Sequence, residues 1–445
     1  MHSDCEPKFG GNAGSARLGR AIGCLAGQLA GDSLGSLVEF QRPERIKREH
    51  PAGVRDLVDG GTWNTIAGQP TDDSEMALAL ARTLVRCGDF NSGAIRQAYV
   101  DWMNSGPFDI GNTTMSGLSG HPNKQSQANG AMMRISPLGI FGAGLPLAQV
   151  SDWAAADAAL THPHPVCIQA NRLYAMAIAR AINNGPAPAD LYREITGWAD
   201  QIVTEPALMD AIRLAADSPP EEYVANQGWV LIAFQNALWQ LLHAPNLEEG
   251  VVDTIMRGGD TDTNACICGA LLGAVYGESQ VPERWLRGLL SCRPERDRPG
   301  VTRPRPPTYW PNDFRELAGA LAALDHGVHS VQPAAPDATD ARVPSICFVC
   351  EWNEGRSAHL ELAVRHRLRN LGIQGKFCSA GFSQGNRIYE ARRDYLIDRG
   401  IQEAEIIGHR PTVFGKLHAD TDLVLVAELP MVDRLVDQWP NLQGR

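Results

Sequence analysis

The chain of 445 residues has no surplus of basic residues, because 40 Lys and Arg stand against 51 Asp and Glu, a formal net charge of -11. Binding along a nucleic-acid backbone needs clustered cations that displace counterions, so no nucleic-acid partner is expected. Long apolar runs are also missing: the longest nearly apolar stretch, Ala265–Gly277, is too short to span a bilayer. The first residues lack a basic segment followed by an apolar core, which predicts no secretory leader. We therefore expect a cytoplasmic protein without a membrane partner.

Cysteine is sparse, with ten irregularly spaced residues that do not resemble the disulfide framework of a small secreted domain. Reduced thiols are expected. The composition, 44% hydrophobic and 7% aromatic, is that of an ordinary globular protein. A chain of this length has room for two or three domains.

One segment stands out as a domain boundary. The stretch Gly327–Pro344 is rich in small residues and proline and has no apolar period. It predicts a linker at 327–342 between a domain at 16–326 and a second at 343–445. After Arg342 the basic and acidic residues balance at 13 each, so the first part carries the net charge.

The region between Ala16 and His326 repeatedly shows Ala- and Leu-rich runs with helical spacing and almost no alternating β-branched runs. This pattern predicts an all-α domain. Two of its helices have a glycine at every fourth position, at the cost of about 1 kcal/mol for each interior glycine relative to alanine. Such stripes indicate central helices whose backbones pack closely. The glycines are Gly23, Gly27, Gly31 and Gly35 in one helix and Gly269, Gly273 and Gly277 in the other.

The Pro- and Arg-rich segment Cys292–Pro311 has the composition of a linker or a recognition ligand. A helical run follows it, however, and that helix has to pack against the same domain. We therefore expect the segment to be a surface loop of the first domain.

The C-terminal region has a different pattern. Ser345–Cys350 reads as a short buried strand, the run after Ser357 as a helix, and the run after Asp422 as another buried strand. Strand, loop and helix in this order predict a small parallel α/β domain.

Two acidic runs begin helices in the first domain: Thr71, Asp72 and Asp73 in one, and Asp260, Asp262 and Thr263 in the other. Helix capping alone would account for either run, and Asp72 with Glu75 matches a capping box. Capping does not explain why both runs precede helices expected to come close together. Four carboxylates at one place repel unless cations neutralise them, and such oxygen ligands suit two Mg²⁺ or Mn²⁺ ions.

The acidic runs belong to a larger ordered set of motifs that resembles the ADP-ribosylglycohydrolases from about Ala16 to His326. The motifs are GCLAGQLAGDSLGSLVEF, PTDDSEMALALA, FDIGNTT, ANGAMMRISPLG, THPHPV and GGDTDTNACICGALLGAVYG. The resemblance implies an all-helical domain that binds two Mg²⁺ ions, or Mn²⁺, and cleaves ADP-ribose from a protein side chain or a small molecule. It leaves the acceptor open between arginine, serine, an acetyl ester and a base.

The resemblance also implies roles for single residues. The metal ligands would be Thr71, Asp72, Asp73, Asp260, Asp262 and Thr263. Glu39 matches a glutamate that in some members reaches the metals and moves when substrate binds, and that in others has a less direct role. Asp109 matches an aspartate near the ribose in some members, although it could equally be a turn residue. Asn129 and Gly130 match a loop around ADP-ribose, and His162 matches a substrate-lining histidine whose alternative role is structural.

The implied reaction passes through an oxocarbenium-like state and needs an activated water. Asp72, Asp73 and Glu39 are all candidates for the carboxylate that takes the proton of this water. The sequence leaves the choice among them open.

A second motif, from Cys350 to Ser357, follows the first C-terminal strand. The backbone N–H groups, the Arg356 guanidinium and the helix N-terminus could all face one phosphate, and the same positive field would favour the thiolate of Cys350. The motif, with Asn353 inside it, resembles the low-molecular-weight protein tyrosine phosphatases and the related arsenate reductases. It implies Cys350 and Arg356 as catalytic residues and Asn353 and Ser357 as phosphate-binding residues.

Two departures weaken the phosphatase interpretation. Trp352 stands where that family usually has glycine, and the chain stops at Arg445, before the expected position of the aspartate acid. We therefore expect a unit that is truncated, dependent on another acid, or a phosphate-binding module. Cys347 and Cys350 also form a C-x-x-C pair, but Cys347 is expected to point into the core rather than to take part in redox chemistry.

Overall fold

The computed structural model describes residues 11–323 and parts of the C-terminal region. The latter are residues 345–351, 357–358, 360–362, 364–365, 376–383, 393, 396–397, 406, 409, 412–414 and 423–426. The predicted linker at 327–342 lies outside the described residues. The chain divides into two compact units, Met1–Ser330 and Val331–Arg445.

The first unit is helical, and this part of the predicted fold class is confirmed. Within residues 11–323 the structure contains α-helices, three short 3-10 helices and no β-strand. The helices are α1 (Gly11–Gly35), α2 (Pro43–Glu49), α3 (Asp72–Cys87), α4 (Ser92–Asn104), α5 (Asn112–Leu118), α6 (Ser136–Phe141), α7 (Leu147–Ala159), α8 (Pro165–Asn184), α9 (Pro188–Ile202), α10 (Pro206–Leu214), α11 (Val230–His243), α12 (Leu247–Met256), α13 (Thr261–Tyr276), α14 (Glu283–Ser291) and α15 (Phe314–Ala323).

Helices α1 and α13 pack antiparallel with their backbones in contact along the two glycine stripes. A Cβ atom at Gly27 would lie 2.1 Å from the carbonyl oxygen of Gly269, and one at Gly35 would lie 2.4 Å from the Cα of Asp262. Only glycine allows this approach. Because the C-terminal end of α1 meets the N-terminal end of α13, Glu39 is brought next to the second acidic run.

The Pro- and Arg-rich segment Cys292–Pro311 belongs to the first unit, as expected, but it is more than a surface loop. Its Arg305 is buried and donates from Nε and Nη2 to the two carboxylate oxygens of Glu75, both at 2.7 Å. A buried, bidentate ion pair of this kind fixes the segment against α3.

The second unit contains a parallel sheet, which confirms the α/β part of the predicted fold class. Its strands are β1 (Ser345–Cys350), β2 (Lys376–Gly381) and β3 (Leu423–Val426), in the order β2-β1-β3. In the register, Cys347 pairs with Cys378 of β2 and with Val424 of β3. The described positions between 357 and 365 are helical.

None of the helices in the described parts of the chain combines the length and the apolar composition that a membrane span requires.

Candidate active site of the helical unit

The first acidic run lies at the N-terminus of α3, where Asp32 of α1 does the capping. Asp32 accepts from the backbone N–H groups of Thr71 and Ser74, both at 3.1 Å, and from the Thr71 hydroxyl at 2.9 Å. Asp72 and Asp73 are buried in the first turn. Since Asp32 supplies the cap, these two carboxylates are left for another role.

The capping box of Asp72 and Glu75, the alternative interpretation of this run, does not form. Glu75 instead accepts from Arg305 and, at Oε2, from the indole N–H of Trp102 at 2.8 Å. The carboxylate of Glu75 is therefore used in packing and not in a helix cap.

The second acidic run lies at the start of α13, where Asp260 is the N-cap residue but makes no side-chain cap hydrogen bond. Oδ2 of Asp260 accepts from the Asn129 amide at 2.6 Å. Oδ1 of Asp262 accepts from the backbone N–H of Thr263 at 2.9 Å. Glu39, Asp260 and Asp262 each offer one carboxylate oxygen, and these three atoms lie within 4.8 Å of one another. Asp72 and Asp73 line the same cavity as these three residues, so the two runs and Glu39 form one acidic site.

A cavity of about 340 Å³ opens onto this acidic site. Of the site residues predicted for the first domain, all but Thr71 line it. Thr71 is fully buried behind them, with its hydroxyl between Asp32 and Asp73. The lining residues include Glu39, Asp72, Asp73, Asp109, Asn129, Gly130, His162, Asp260, Asp262 and Thr263.

Burial and mutual repulsion favour the protonated forms of the cavity carboxyls. Burial raises the pKa of Glu39 to about 8, with further contributions from Asp109 and Asp260. Burial is also the main cause that raises the pKa of Asp109 to about 6. The pKa values of Asp72 and Asp262 are well above their ordinary range for the same reasons. The site is therefore strongly electronegative once its carboxyls ionise.

This donor set fits a hard divalent cation. Oδ1 of Asp73 is buried and has no hydrogen-bond partner among the described residues, which is costly for a carboxylate that nothing else neutralises. Carboxylate and hydroxyl oxygens are the ligands that Mg²⁺ and Mn²⁺ prefer. The repulsion that raises the pKa values would be relieved by such an ion.

His162 lies on the wall of the cavity, fully buried. Burial, reinforced by the positive charge of Arg134, lowers the pKa of His162 to about 3, so its imidazole is neutral at physiological pH. Within the part of the chain that the structure describes, Nε2 of His162 has no hydrogen-bond partner. The histidine is thus placed to meet a ligand in the cavity.

The sequence interpretation missed Asp32, Trp63 and Phe40. Asp32 lies in the GDSLG motif, but nothing in this motif predicts that its carboxylate accepts hydrogen bonds from the N-terminus of α3. Phe40 lines the cavity, is 53% exposed and has a left-handed backbone with φ of 64°. Trp63 donates its indole N–H to Oε2 of Glu39 at 2.6 Å. No spacing signal could have found this contact, because it joins a loop to the turn that follows α1.

The second unit places two predicted phosphate-site residues together. Cys350 ends the central strand β1, and its Sγ lies 3.0 Å from Oγ of Ser357, with both side chains buried. Asn353 and Arg356 lie outside the described residues. Cys347 packs with Val349 and Ala380 in the core of the sheet, as expected.

Comparison with known families gives separate matches for the helical unit and the C-terminal unit. Residues 13–331 match the family model of the ADP-ribosylglycohydrolases, and residues 345–443 match that of the low molecular weight phosphotyrosine protein phosphatases. Both predicted resemblances are confirmed. The helical unit makes the protein a glycohydrolase enzyme. The first match covers well over half of the chain, and the protein belongs to the ADP-ribosylglycohydrolase family.

Individual relatives cover the helical unit. An ADP-ribosyl-[dinitrogen reductase] glycohydrolase of Rhodospirillum rubrum is 28% identical over 61% of this chain and 90% of its own length. An ADP-ribosylarginine hydrolase, Tri1, of Pseudomonas putida is 29% identical over 60% and 74%. The human ADP-ribosylhydrolase ARH3 is 27% identical over 61% and 90%. A solved structure titled ADP-ribosylglycohydrolase-related protein complex superimposes with a TM-score of 0.58 at 25% identity, covering 70% of this chain and 99% of that one.

Proposed function

We propose that the helical unit releases ADP-ribose from an ADP-ribosylated protein or small molecule with the help of two bound divalent cations, Mg²⁺ or Mn²⁺. The observation that carries the proposal is the convergence of both acidic helix N-termini on one cavity, together with the unpartnered, buried Oδ1 of Asp73. Asp32 caps α3, so helix capping leaves the carboxylates of Asp72 and Asp73 unexplained.

The proposed ligands are the six residues of the two acidic runs: Thr71, Asp72, Asp73, Asp260, Asp262 and Thr263. Bound divalent cations would supply positive charge that orients ribose hydroxyls and acidifies a water. The Asn129 amide, which already donates to Asp260, would hold that carboxylate in its present orientation.

The remaining cavity residues would act on the substrate. Glu39 faces the cavity and is a candidate to take the proton of the attacking water, as are Asp72 and Asp73. Asp109, whose pKa burial raises to about 6, would position the ribose or act as an acid. His162 would donate to an oxygen of ADP-ribose, and Gly130 allows close approach of the backbone.

A single substitution tests this assignment. Asp262→Asn keeps the shape of the side chain and removes one charge from the acidic site, so we expect ADP-ribose release from ADP-ribosylarginine peptides to fall by at least about 100-fold. The matched control is Asp152→Asn, on a side chain that is 68% exposed on α7, and it should retain the wild-type rate. Equal rates for wild type and Asp262→Asn would contradict the proposal. Binding of ADP-ribose and Mg²⁺ by the wild type without any release would favour a binding module.

The C-terminal unit carries a second proposed activity, hydrolysis or capture of a phosphate ester at Cys350. The contact between Cys350 and Ser357 supports it, since a hydroxyl next to the thiol helps to stabilise a thiolate. Hydrolysis of an aryl phosphate should be lost in Cys350→Ser and should persist in the presence of a metal chelator. Phosphate binding by a chain that does not hydrolyse the ester would identify a phosphate-binding module.

A further inference from the structure

Glu39 sits in an electrostatically unfavourable place. Its carboxylate faces those of Asp260 and Asp262, and all three are buried. A donor that binds one carboxyl oxygen of Glu39 limits the rotation of its side chain among these neighbours. The half-buried Trp63 supplies such a donor, since its indole N–H lies 2.6 Å from Oε2 of Glu39.

The loop that carries Trp63 is attached to the end of α1. Residues Gly60 and Thr65 close the loop by a β-bridge. Thr62 donates from its backbone N–H to the Ser36 carbonyl and from its hydroxyl to the Glu39 carbonyl, both at 3.1 Å. The backbone of Trp63 is therefore placed relative to Glu39 itself.

The Pro- and Arg-rich segment supports this loop from outside. Arg303 donates from Nε to the carbonyl of Trp63 at 3.0 Å, and the Arg303 carbonyl accepts from the Gln69 amide at 2.6 Å. The hydroxyl of Thr302 donates to the Asn64 carbonyl. Two residues further on, the buried ion pair of Arg305 holds the segment against α3.

Aromatic contacts complete the arrangement. The rings of Trp63 and Phe108 have centroids 6.0 Å apart at an interplanar angle of 50°, and the Arg303 guanidinium lies 6.0 Å from the Phe108 centroid. Phe108 directly precedes Asp109 of the cavity wall. The indole ring thus contacts Phe108, while its N–H donates to Glu39.

We propose that Trp63 is a positioning residue that holds the Glu39 carboxylate at the acidic site, and that the segment Cys292–Pro311 serves to hold Trp63. The inference rests on the proposed hydrolysis of ADP-ribosyl bonds. It gives the Pro- and Arg-rich segment a role in the active site that neither its composition nor the shared motifs indicate.

Two substitutions at Trp63 separate its hydrogen bond from its bulk. Trp63→Phe keeps an aromatic ring and removes the donor, whereas histidine places its Nε2 at the ring position of the indole Nε1. We expect kcat for ADP-ribose release to fall by about 10- to 100-fold in Trp63→Phe with KM within about twofold of wild type, and to recover in part in Trp63→His. The control is Trp285→Phe, which removes from α14 an indole donor to the Arg55 carbonyl, outside the segment and without touching Glu39. Trp63→Phe with wild-type kcat, or with a loss equal to that of Trp285→Phe, would overturn the inference.

A second readout needs no substrate. The protein contains ten tryptophans, and ¹⁵N labelling of their indoles gives one resonance for each. The resonance that disappears in Trp63→Phe should shift in Glu39→Gln, because the acceptor of its hydrogen bond changes from a carboxyl to an amide group. An unchanged Trp63 resonance in Glu39→Gln would also overturn the inference. Failure of the wild type to release ADP-ribose from any acceptor would instead overturn the proposed function, and the resonance measurement tells the two failures apart.

Discussion

The hydroxyl oxygen of Thr161 lies 2.7 Å from Nδ1 of His162. The same oxygen accepts a hydrogen bond from Nη1 of Arg134 at 2.9 Å. Arg134 occupies one lone pair of this oxygen and leaves the hydroxyl proton available to Nδ1 of His162. A neutral imidazole that accepts this proton carries its own proton on Nε2, so the contact with the buried Arg134 and Thr161 favours the Nε2–H tautomer at the cavity.

We predict that His162 stays neutral, as the Nε2–H tautomer, from about pH 5 to 9, because burial and Arg134 lower its pKa to about 3. Nitrogen chemical shifts of the labelled histidine measure both properties. Thr161→Val should remove the preference for this tautomer. His162→Ala should weaken ADP-ribose binding roughly fivefold, as expected for the loss of one hydrogen bond. A histidine that titrates near pH 6.5 would contradict the prediction.

Metal removal should make the stability of the helical unit fall as the pH rises. The pKa of Asp109 is about 6 and that of Glu39 about 8 in the folded protein, both above the ordinary range near 4. Between about pH 4 and 8 the folded state therefore binds more protons than the unfolded state, and its stability decreases with rising pH. Thermal unfolding in chelator should show a lower Tm at pH 8 than at pH 5.5, and excess Mg²⁺ should raise the Tm most at pH 8. A Tm in chelator that does not depend on pH would contradict this account.

Asp32 is predicted to be essential for the N-terminus of α3. Asp32→Ala leaves the backbone N–H groups of Thr71 and Ser74 without their acceptor, and a buried donor left unsatisfied costs about 1–3 kcal/mol. We expect the free energy of unfolding to fall by at least about 2 kcal/mol and Mn²⁺ binding to weaken. Asp32→Asn keeps one acceptor oxygen and should lose less. Chemical denaturation and calorimetric Mn²⁺ titration provide the two measurements, and unchanged Mn²⁺ affinity in Asp32→Ala would show that Asp32 does not support the site.

The glycine stripes give a prediction about stability that does not depend on the proposed activity. Gly27→Ala would place a Cβ 2.1 Å from the Gly269 carbonyl oxygen, so the free energy of unfolding should fall by about 1–3 kcal/mol or more. The matched control, Gly19→Ala in the same helix, meets no atom within 4 Å and should stabilise the chain by about 0.5–1 kcal/mol. Equal stabilities of the two variants would show that α1 and α13 do not meet at these glycines.

The helical fold and the approach of the two acidic runs could be predicted from residue spacing, whereas the other residues proposed for the site were indicated only by the family resemblance. Four-residue glycine spacing indicated that α1 and α13 touch, and the two acidic runs marked the helix N-termini that meet. The roles of Asp32 and Trp63 could not be predicted in this way. Asp32 caps a helix 39 residues further along the chain, and Trp63 reaches Glu39 from a loop that the Pro- and Arg-rich segment supports. Such contacts depend on three-dimensional packing and leave no spacing in the sequence.

In the C-terminal unit, the strand ending at Cys350 could be predicted from the sequence, but its place in the sheet could not. Its run of buried residues predicted a strand in a parallel sheet, and β1 pairs in parallel with both neighbours. The order β2-β1-β3 could not be read from the sequence, because which strand lies in the middle depends on how the connections cross the sheet.

The most direct test of the central claim measures free ADP-ribose released from an ADP-ribosylarginine peptide by one sample in three successive conditions: with Mg²⁺, with excess chelator, and with Mg²⁺ restored. If the acidic cavity works through bound cations, release proceeds in the first condition, stops in the second and resumes in the third. Release that continues unchanged in chelator would contradict the account.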